Sequence, residues 1–319
     1  MAQDNGPGQW PRIMERNPPM PDTSVPFAQI RYETPAPHVA RIVMARPEAH
    51  NAQGLTMTYE LNAAFDRAAH DDTIKAIILA ADGRNFSAGH DLSGDGTKTW
   101  RDFPTIGTWA GCDAAGAEAR YGREMEIYLE MCERWRAISK PTIAQVQGKV
   151  IAGGLMLAWV CDLIIASEDA TFKDPVIDFG ICGVEFFNHP WELGIRKAKE
   201  FLFTADEITA REAAAHGMVN RVVPRAELET ATLALAVKIA AKPAFALKAT
   251  KQALNHVQDV QGRRNAQMHA FSLHHLLHAH NELIYGMAMD PNGLPEAVRD
   301  KVLARVARGK EAAAKKTAE

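Results

Sequence analysis

Apolar positions along the chain change period several times, and each change marks an element. Residues 39–45 form a strand-length apolar run, after which Met57, Leu61, Ala64, Phe65 and Ala68 recur at three- and four-residue steps. That spacing predicts a helix with one buried face. Residues 76–81 are a second short apolar run, closed by the turn pair Asp82 and Gly83. Residues 93–120, rich in Gly, Asp and Thr, have no period and read as a long loop. A helix is predicted over 121–137, with Met125, Leu129, Cys132 and Arg136 about one turn apart. Residues 142–146 then read as a strand, 154–161 as a buried helix and 163–167 as another strand. Beyond residue 185 helical patterns dominate, at 186–203, 209–216, 225–241, 243–257 and 262–283, interrupted by one apolar run at 218–223. Strand–helix alternation followed by a helical block predicts an α/β core with a helical C-terminal part.

The ends differ from this middle. Eight of the 17 prolines fall in residues 1–37 with little apolar period between them. Each removes a backbone donor, so residues 1–36 are expected to be an extended or disordered arm. A core is expected over 37–224, a helical part over 225–283, and a helical, fraying tail over 284–319, where Ala, Lys and Arg accumulate. Neither end is expected to carry chemistry. The 319 residues are 47% hydrophobic and 24% charged, an ordinary globular balance that excludes overall disorder. A formal charge of −3 argues against a nucleic-acid partner. The four cysteines (Cys112, Cys132, Cys161 and Cys182) show no metal-ligand spacing and read as buried thiols of a reducing compartment. The longest apolar run, 150–161, is too short for a bilayer, and the N-terminus lacks a signal-peptide pattern. The expectation is a soluble, cytoplasmic protein with no membrane partner.

Two glycine-centred segments carry candidate chemistry. One is Phe86, Ser87, Ala88, Gly89, His90, Asp91, Leu92; the other runs from Gln147 through Gly148 to Gly153, Gly154 and Leu157 at the start of a buried helix. Small residues let a backbone approach a ligand closely, and a helix N-terminus offers unpaired N–H groups. Two such groups aimed at one point make an oxyanion hole. Singly, each cluster is equally well explained by tight packing of a turn on a helix.

Their order along the chain is more specific. Arg46, Pro47 and Asn51 precede the Phe86–Leu92 segment; Lys140, Pro141, Thr142, Gly148, Gly153 and Gly154 follow, then Cys161, Asp162, Leu163 and Phe172. Gly217, Met218, Val219, Val222, Val223 and Pro224 close the series. Over about residues 36–283 this order resembles the crotonase (enoyl-CoA hydratase/isomerase) family. The resemblance implies a spiral β-β-α core with a helical C-terminal trimerisation part. It further implies a homotrimer or dimer of trimers and an acyl-CoA thioester as substrate, with no cofactor beyond the coenzyme A it carries. The thioester oxygen would be held by the backbone N–H groups of His90 and Gly153, with Ala88, Asp91, Leu92, Met156 and Val176 around the acyl group.

The departures are as informative. The family's hydratases carry one glutamate three residues after the oxyanion glycine and a second twenty residues later; here those positions hold Met156 and Val176. Neither side chain moves a proton, and hydration needs both a water-activating group and an acid. Ordinary hydratase activity is therefore not expected. An alternative family acid position falls on Val184, next to Glu185, which is the candidate acid/base; its competing role is to cap the following helix. Asp178 reads as a turn acid, and His189, before Pro190, as a packing residue. His269, His274, His275, His278 and His280 invite a metal reading, but no Cys or Asp accompanies them and only Glu282 lies close in sequence. They are taken as surface or subunit-interface histidines, with no metal expected. Two functions remain: an acyl-CoA lyase or isomerase built on enolate stabilisation, or a catalytically silent acyl-CoA binding protein.

Overall fold

The computed structural model describes residues 27–92, 98–296, 299–300, 302–304 and 306–308. Most of the proline-rich arm and the end of the tail lie outside the described residues. Six strands make the main sheet in the order β1 (Ile30–Ala36), β2 (Val39–Met44), β3 (Ala76–Ala81), β4 (Thr142–Val146), β6 (Leu163–Ser167) and β9 (Arg221–Val223). All neighbours run parallel except β1, which pairs antiparallel with β2. A parallel sheet is covered on both faces, so its strands read as continuous apolar runs. In β3 all six residues are buried. Alternate side chains go to opposite faces. Ile77, Leu79 and Ala81 join the main core with α1 (Leu55–His70), while Ala76, Ile78 and Ala80 pack against Leu228, Ala236 and Ala240 of α8 (Leu228–Ala240). The predicted helical stripe of Met57, Leu61, Ala64, Phe65 and Ala68 is the buried face of α1.

A second, three-stranded sheet joins β5 (Lys149–Ile151), β7 (Thr171–Lys173) and β8 (Ile208–Thr209), and its β5 leads directly into α4 (Gly153–Trp159). Every residue of α4 is buried, as its uninterrupted apolar sequence requires. Between the sheets and the C-terminal helices runs α2 (Ala117–Glu124), which continues through a π-helical stretch, Met125–Glu130, into α3 (Met131–Arg136). Single π turns recur at functional sites; this one carries Tyr128. Then follow α5 (His189–Leu193), α6 (Ile195–Thr204), α7 (Ala210–Ala215), α9 (Ala244–Val260) and α10 (Arg263–Tyr285).

Three sequence expectations move. Residues 30–36, assigned to the arm, form β1, because the Val39–Met44 edge would otherwise present an unpaired ladder. Residues 93–97 of the expected 93–120 loop lie outside the described residues, and its other end is helical: α2 starts at Ala117, where Ala119 and Gly122 are buried. The tail packs on the core, with Met287, Leu294 and Val302 forming a small buried cluster against Leu92 and Phe179. Within this chain α9 buries only Lys251, while Phe245, Leu254, Val257 and Val260 are exposed. No single helix among the described residues is long and apolar enough to cross a membrane.

Candidate active site

Residues 86–91 run between two backbone edges. On one side Ser87 exchanges bonds with β5: its amide donates to Lys149 O, and the Ile151 amide donates to Ser87 O. On the other side the Gln53 amide donates to Gly89 O, and the Asp91 amide donates to Gln53 O. Neither the His90 nor the Gly153 amide donates to a backbone or side-chain acceptor among the described bonds. Gly153 is the first residue of α4, where no intrahelical acceptor exists. Gly89, at φ +91, has a position that only glycine fills: an added Cβ would stand 2.7 Å from Ile151 O and 3.2 Å from Gly153 N. The two segments are thus in backbone contact. Ala152 holds the junction at φ 46, an uncommon conformation for alanine, fixed by its amide donating to Lys173 O at 2.9 Å.

The His90 imidazole closes over this junction. A Cβ on Gly153 would lie 2.4 Å from its Cε1 and 2.6 Å from its Nδ1. The ring stacks on Tyr128 with centroids 3.8 Å apart, and its Nε2 lies 3.0 Å from Glu185 Oε2. Glu185 is 5% exposed. Burial pushes its carboxyl up, but the charge and hydrogen bond of His90 outweigh this and hold it well below the usual carboxylate range. Burial pulls His90 down, and the Glu185 charge and hydrogen bond more than offset it, leaving the imidazole above its ordinary value. Glu185 and His90 thus hold each other in place, and His90 Nδ1 is buried without a partner among the described residues.

His90 and Glu185 border a cavity of about 1390 Å³. Ala88, Asp91, Leu92 and Val176 line it. Met156 does not: it is fully buried in the core, because the fourth residue of α4 turns away from the cavity. Met287, Leu294 and Val302 of the tail also line the wall, so that end does take part in the site. Lys98, Arg101 and Arg123 make part of its rim cationic.

The other candidates separate. Asp178 is exposed at the edge of the cavity. His189 is fully buried, 2.8 Å from Asp174 and ringed by Trp159, Phe187 and Phe201, which is a packing role. Among the C-terminal histidines, His269 and His280 are exposed, but His274, His275 and His278 are buried and converge on Glu124. The surface assignment therefore fails for these three. Glu282 is not their partner; it accepts from Arg120. Glu124 was missed because it stands on a different helix, and only the fold brings it to α10.

The Enoyl-CoA hydratase/isomerase family model matches residues 35–103 and 110–289. The chain belongs to the enoyl-CoA hydratase/isomerase family. EchA13 of Mycobacterium tuberculosis, provisionally named an enoyl-CoA hydratase, is 46% identical over 260 residues, covering 80% of this chain and 82% of the relative. A solved structure from Mycobacterium thermoresistibile, titled a probable enoyl-CoA hydratase, has a TM-score of 0.74 at 46% identity and covers 82% of this chain and 98% of its own. A 4-chlorobenzoyl coenzyme A dehalogenase of Arthrobacter is 31% identical over 207 residues, 64% of this chain and 70% of the relative. This is the family that the ordered glycine motifs resemble, and the mixed α/β model agrees with the fold of its solved members.

Proposed function

We propose that this enoyl-CoA hydratase/isomerase family member acts on an acyl-CoA thioester as a lyase or isomerase rather than as an ordinary hydratase. The His90 and Gly153 amides would receive the thioester oxygen as it gains enolate charge. Donors preorganised in a buried site stabilise such charge by several kcal/mol without reorganisation. The observation that carries the reading is the His90–Glu185 pair set directly on that junction, in a wall that Val176 shares. Water activation by the usual carboxylates is absent from this reading. Proton removal at the acyl α-carbon is assigned instead to His90 in its neutral form: Nδ1, without a partner among the described residues, takes the proton, while Nε2–H donates to Glu185, whose charge steadies the imidazolium that forms. Glu185 thereby becomes the anionic partner of the acid/base group rather than an isolated acid.

Ala88, Asp91, Leu92 and Val176 would border the acyl group, and the cationic rim suits the phosphates of coenzyme A. The thioester brings its own coenzyme A, so no separate organic cofactor enters this reading. Association into a trimer or dimer of trimers is proposed from the apolar side chains that α9 leaves exposed. The test is a mass-spectrometric panel of acyl-CoA thioesters that reports binding and conversion together. Crotonyl-CoA should bind yet hydrate slower than with a glutamate-bearing family hydratase by on the order of 100-fold or more. Hydration at that enzyme's rate would overturn the reading; binding of the whole panel without conversion of any member would favour a silent binding protein.

A further inference from the structure

The histidine cluster on α10 is not used by the proton chemistry above, and its geometry is that of a ligand set. His274 and His278 are one turn apart on a single face of the helix. Their Nδ1 atoms lie 2.8 Å from Gly183 O and 2.6 Å from Ala288 O. An Nδ1–H that donates to a carbonyl leaves the lone pair on Nε2 and fixes the ring, the arrangement that supports metal-bound histidine. Both Nε2 atoms face Glu124 Oε2, at 3.7 Å for His274 and 3.5 Å for His278. The three ligand atoms lie within 4.8 Å of one another.

Three imidazole nitrogens gathered on one carboxylate oxygen need a cation among them, either a proton on a ring or a metal ion. Glu124 Oε2 and His274 Nε2 are buried and find no partner of hydrogen-bonding geometry among the described residues. His275 Nε2, 3.3 Å from the same oxygen, is equally unpartnered. For a metal with bonds of about 2.05 Å, tetrahedral ligand atoms stand about 3.3 Å apart, close to the distances found here. The other oxygen of Glu124 is steadied by Arg120 Nη1 at 3.7 Å, and Arg120 in turn donates to Glu282.

We propose that Glu124, His274 and His278 form a site for one divalent transition-metal ion of the zinc class, with a coordination position open to the acyl cavity. All three residues line that cavity. Three protein ligands with a vacant fourth position are the pattern of reactive rather than purely structural zinc sites. The group completing it is an oxygen donor, either water or an oxygen of the acyl group. Glu185 Oε1, 3.7 Å from His274 Nε2, adjoins the open side. The site stands on its ligand geometry and does not depend on the proposed turnover.

The test uses the full, untagged chain, stripped with a chelator and then reloaded with zinc alone or cobalt(II) alone. One zinc per chain should survive gel filtration, and the cobalt form should show the intense visible bands of a tetrahedral site. Glu124→Gln and His278→Gln should each weaken zinc binding on the order of 100-fold or more. His269→Ala and His280→Ala, on exposed histidines, should leave it unchanged. If the wild-type chain retains no zinc and gives no tetrahedral cobalt spectrum, the proposal fails and the cluster is a proton-sharing network. It fails equally if Glu124→Gln and His278→Gln, folded by circular dichroism, bind zinc as the wild type does. The wild-type arm decides alone should those variants not fold.

Discussion

Gly153→Ala probes the junction between the glycine motifs. The three atoms nearest to an added Cβ all belong to the His90 ring, the closest at 2.4 Å. Gly153 begins a helix and has no positive φ, so its own backbone tolerates alanine. The cost therefore falls on His90, which stacks on Tyr128 and bonds Glu185 and cannot yield without losing one or both. A charge-assisted hydrogen bond contributes about 1.5–3 kcal/mol, and a ring stack about 0.5–1.5. Alanine in a helix returns up to about 1 kcal/mol relative to glycine. The expected destabilisation is about 1–4 kcal/mol. In a His90→Ala background the colliding ring is gone, and the same change should cost less than about 1 kcal/mol. The double-mutant cycle should show about 2–3 kcal/mol of coupling. Urea unfolding followed by circular dichroism, at one fixed protein concentration, measures all four corners. Additivity within about 0.5 kcal/mol would refute the placement of His90 over Gly153.

Two further outcomes follow from other parts of the chain. Burial holds the half-buried Glu192 up to about 7, against hydrogen bonding from Asn188 and the charges of Arg136 and Arg263. A carboxyl raised in the folded state keeps its proton longer there, so its stabilisation is present below about 4.5 and is lost as pH rises through about 7. Discounted for partial exposure, Glu192→Gln should be about 1–2 kcal/mol more stable than wild type at pH 8 and gain nothing at pH 4 by thermal unfolding; an equal difference at both pH values would count against this. For the assembly, light scattering at micromolar concentration should give three or six chains, and a charged residue at Phe245 or Leu254 should lower that number. A stable wild-type monomer would contradict the reading of α9.

Much of the fold was legible because local pattern and tertiary burial agree in it. The β3 run is apolar throughout since both faces are covered, and the α1 stripe matches its buried side. The two glycine motifs were legible because close backbone approach at Gly89, and the His90 ring at Gly153, leave no room for a side chain. Glu185 was reached only as a neighbour of a family position; that it meets His90, 95 residues away, is a product of the fold. β1 was hidden by the prolines around it, and the tail by its alanine- and lysine-rich end, although Met287, Leu294 and Val302 are apolar and buried. Met156 was misplaced because a count along the sequence fixes a position on α4 but not the direction of its side chain. The histidines of α10 were misread for lack of a partner, and that partner, Glu124, is about 150 residues upstream, beyond any local spacing rule.

The central claim is that an acyl-CoA enolate forms at the His90–Gly153 junction, with His90 moving the proton and Glu185 holding its ring. Deuterium exchange at the α-carbon tests it without knowledge of the complete reaction. Saturated thioesters that bind the protein, such as butyryl-CoA and phenylacetyl-CoA, are incubated with it in D2O and followed by mass spectrometry. The wild-type chain should add deuterium to at least one of them well above the buffer rate. Glu185→Gln should slow this by on the order of 100- to 10,000-fold while leaving thioester affinity nearly unchanged. No exchange with any thioester that binds, or exchange undiminished in Glu185→Gln, would contradict the account.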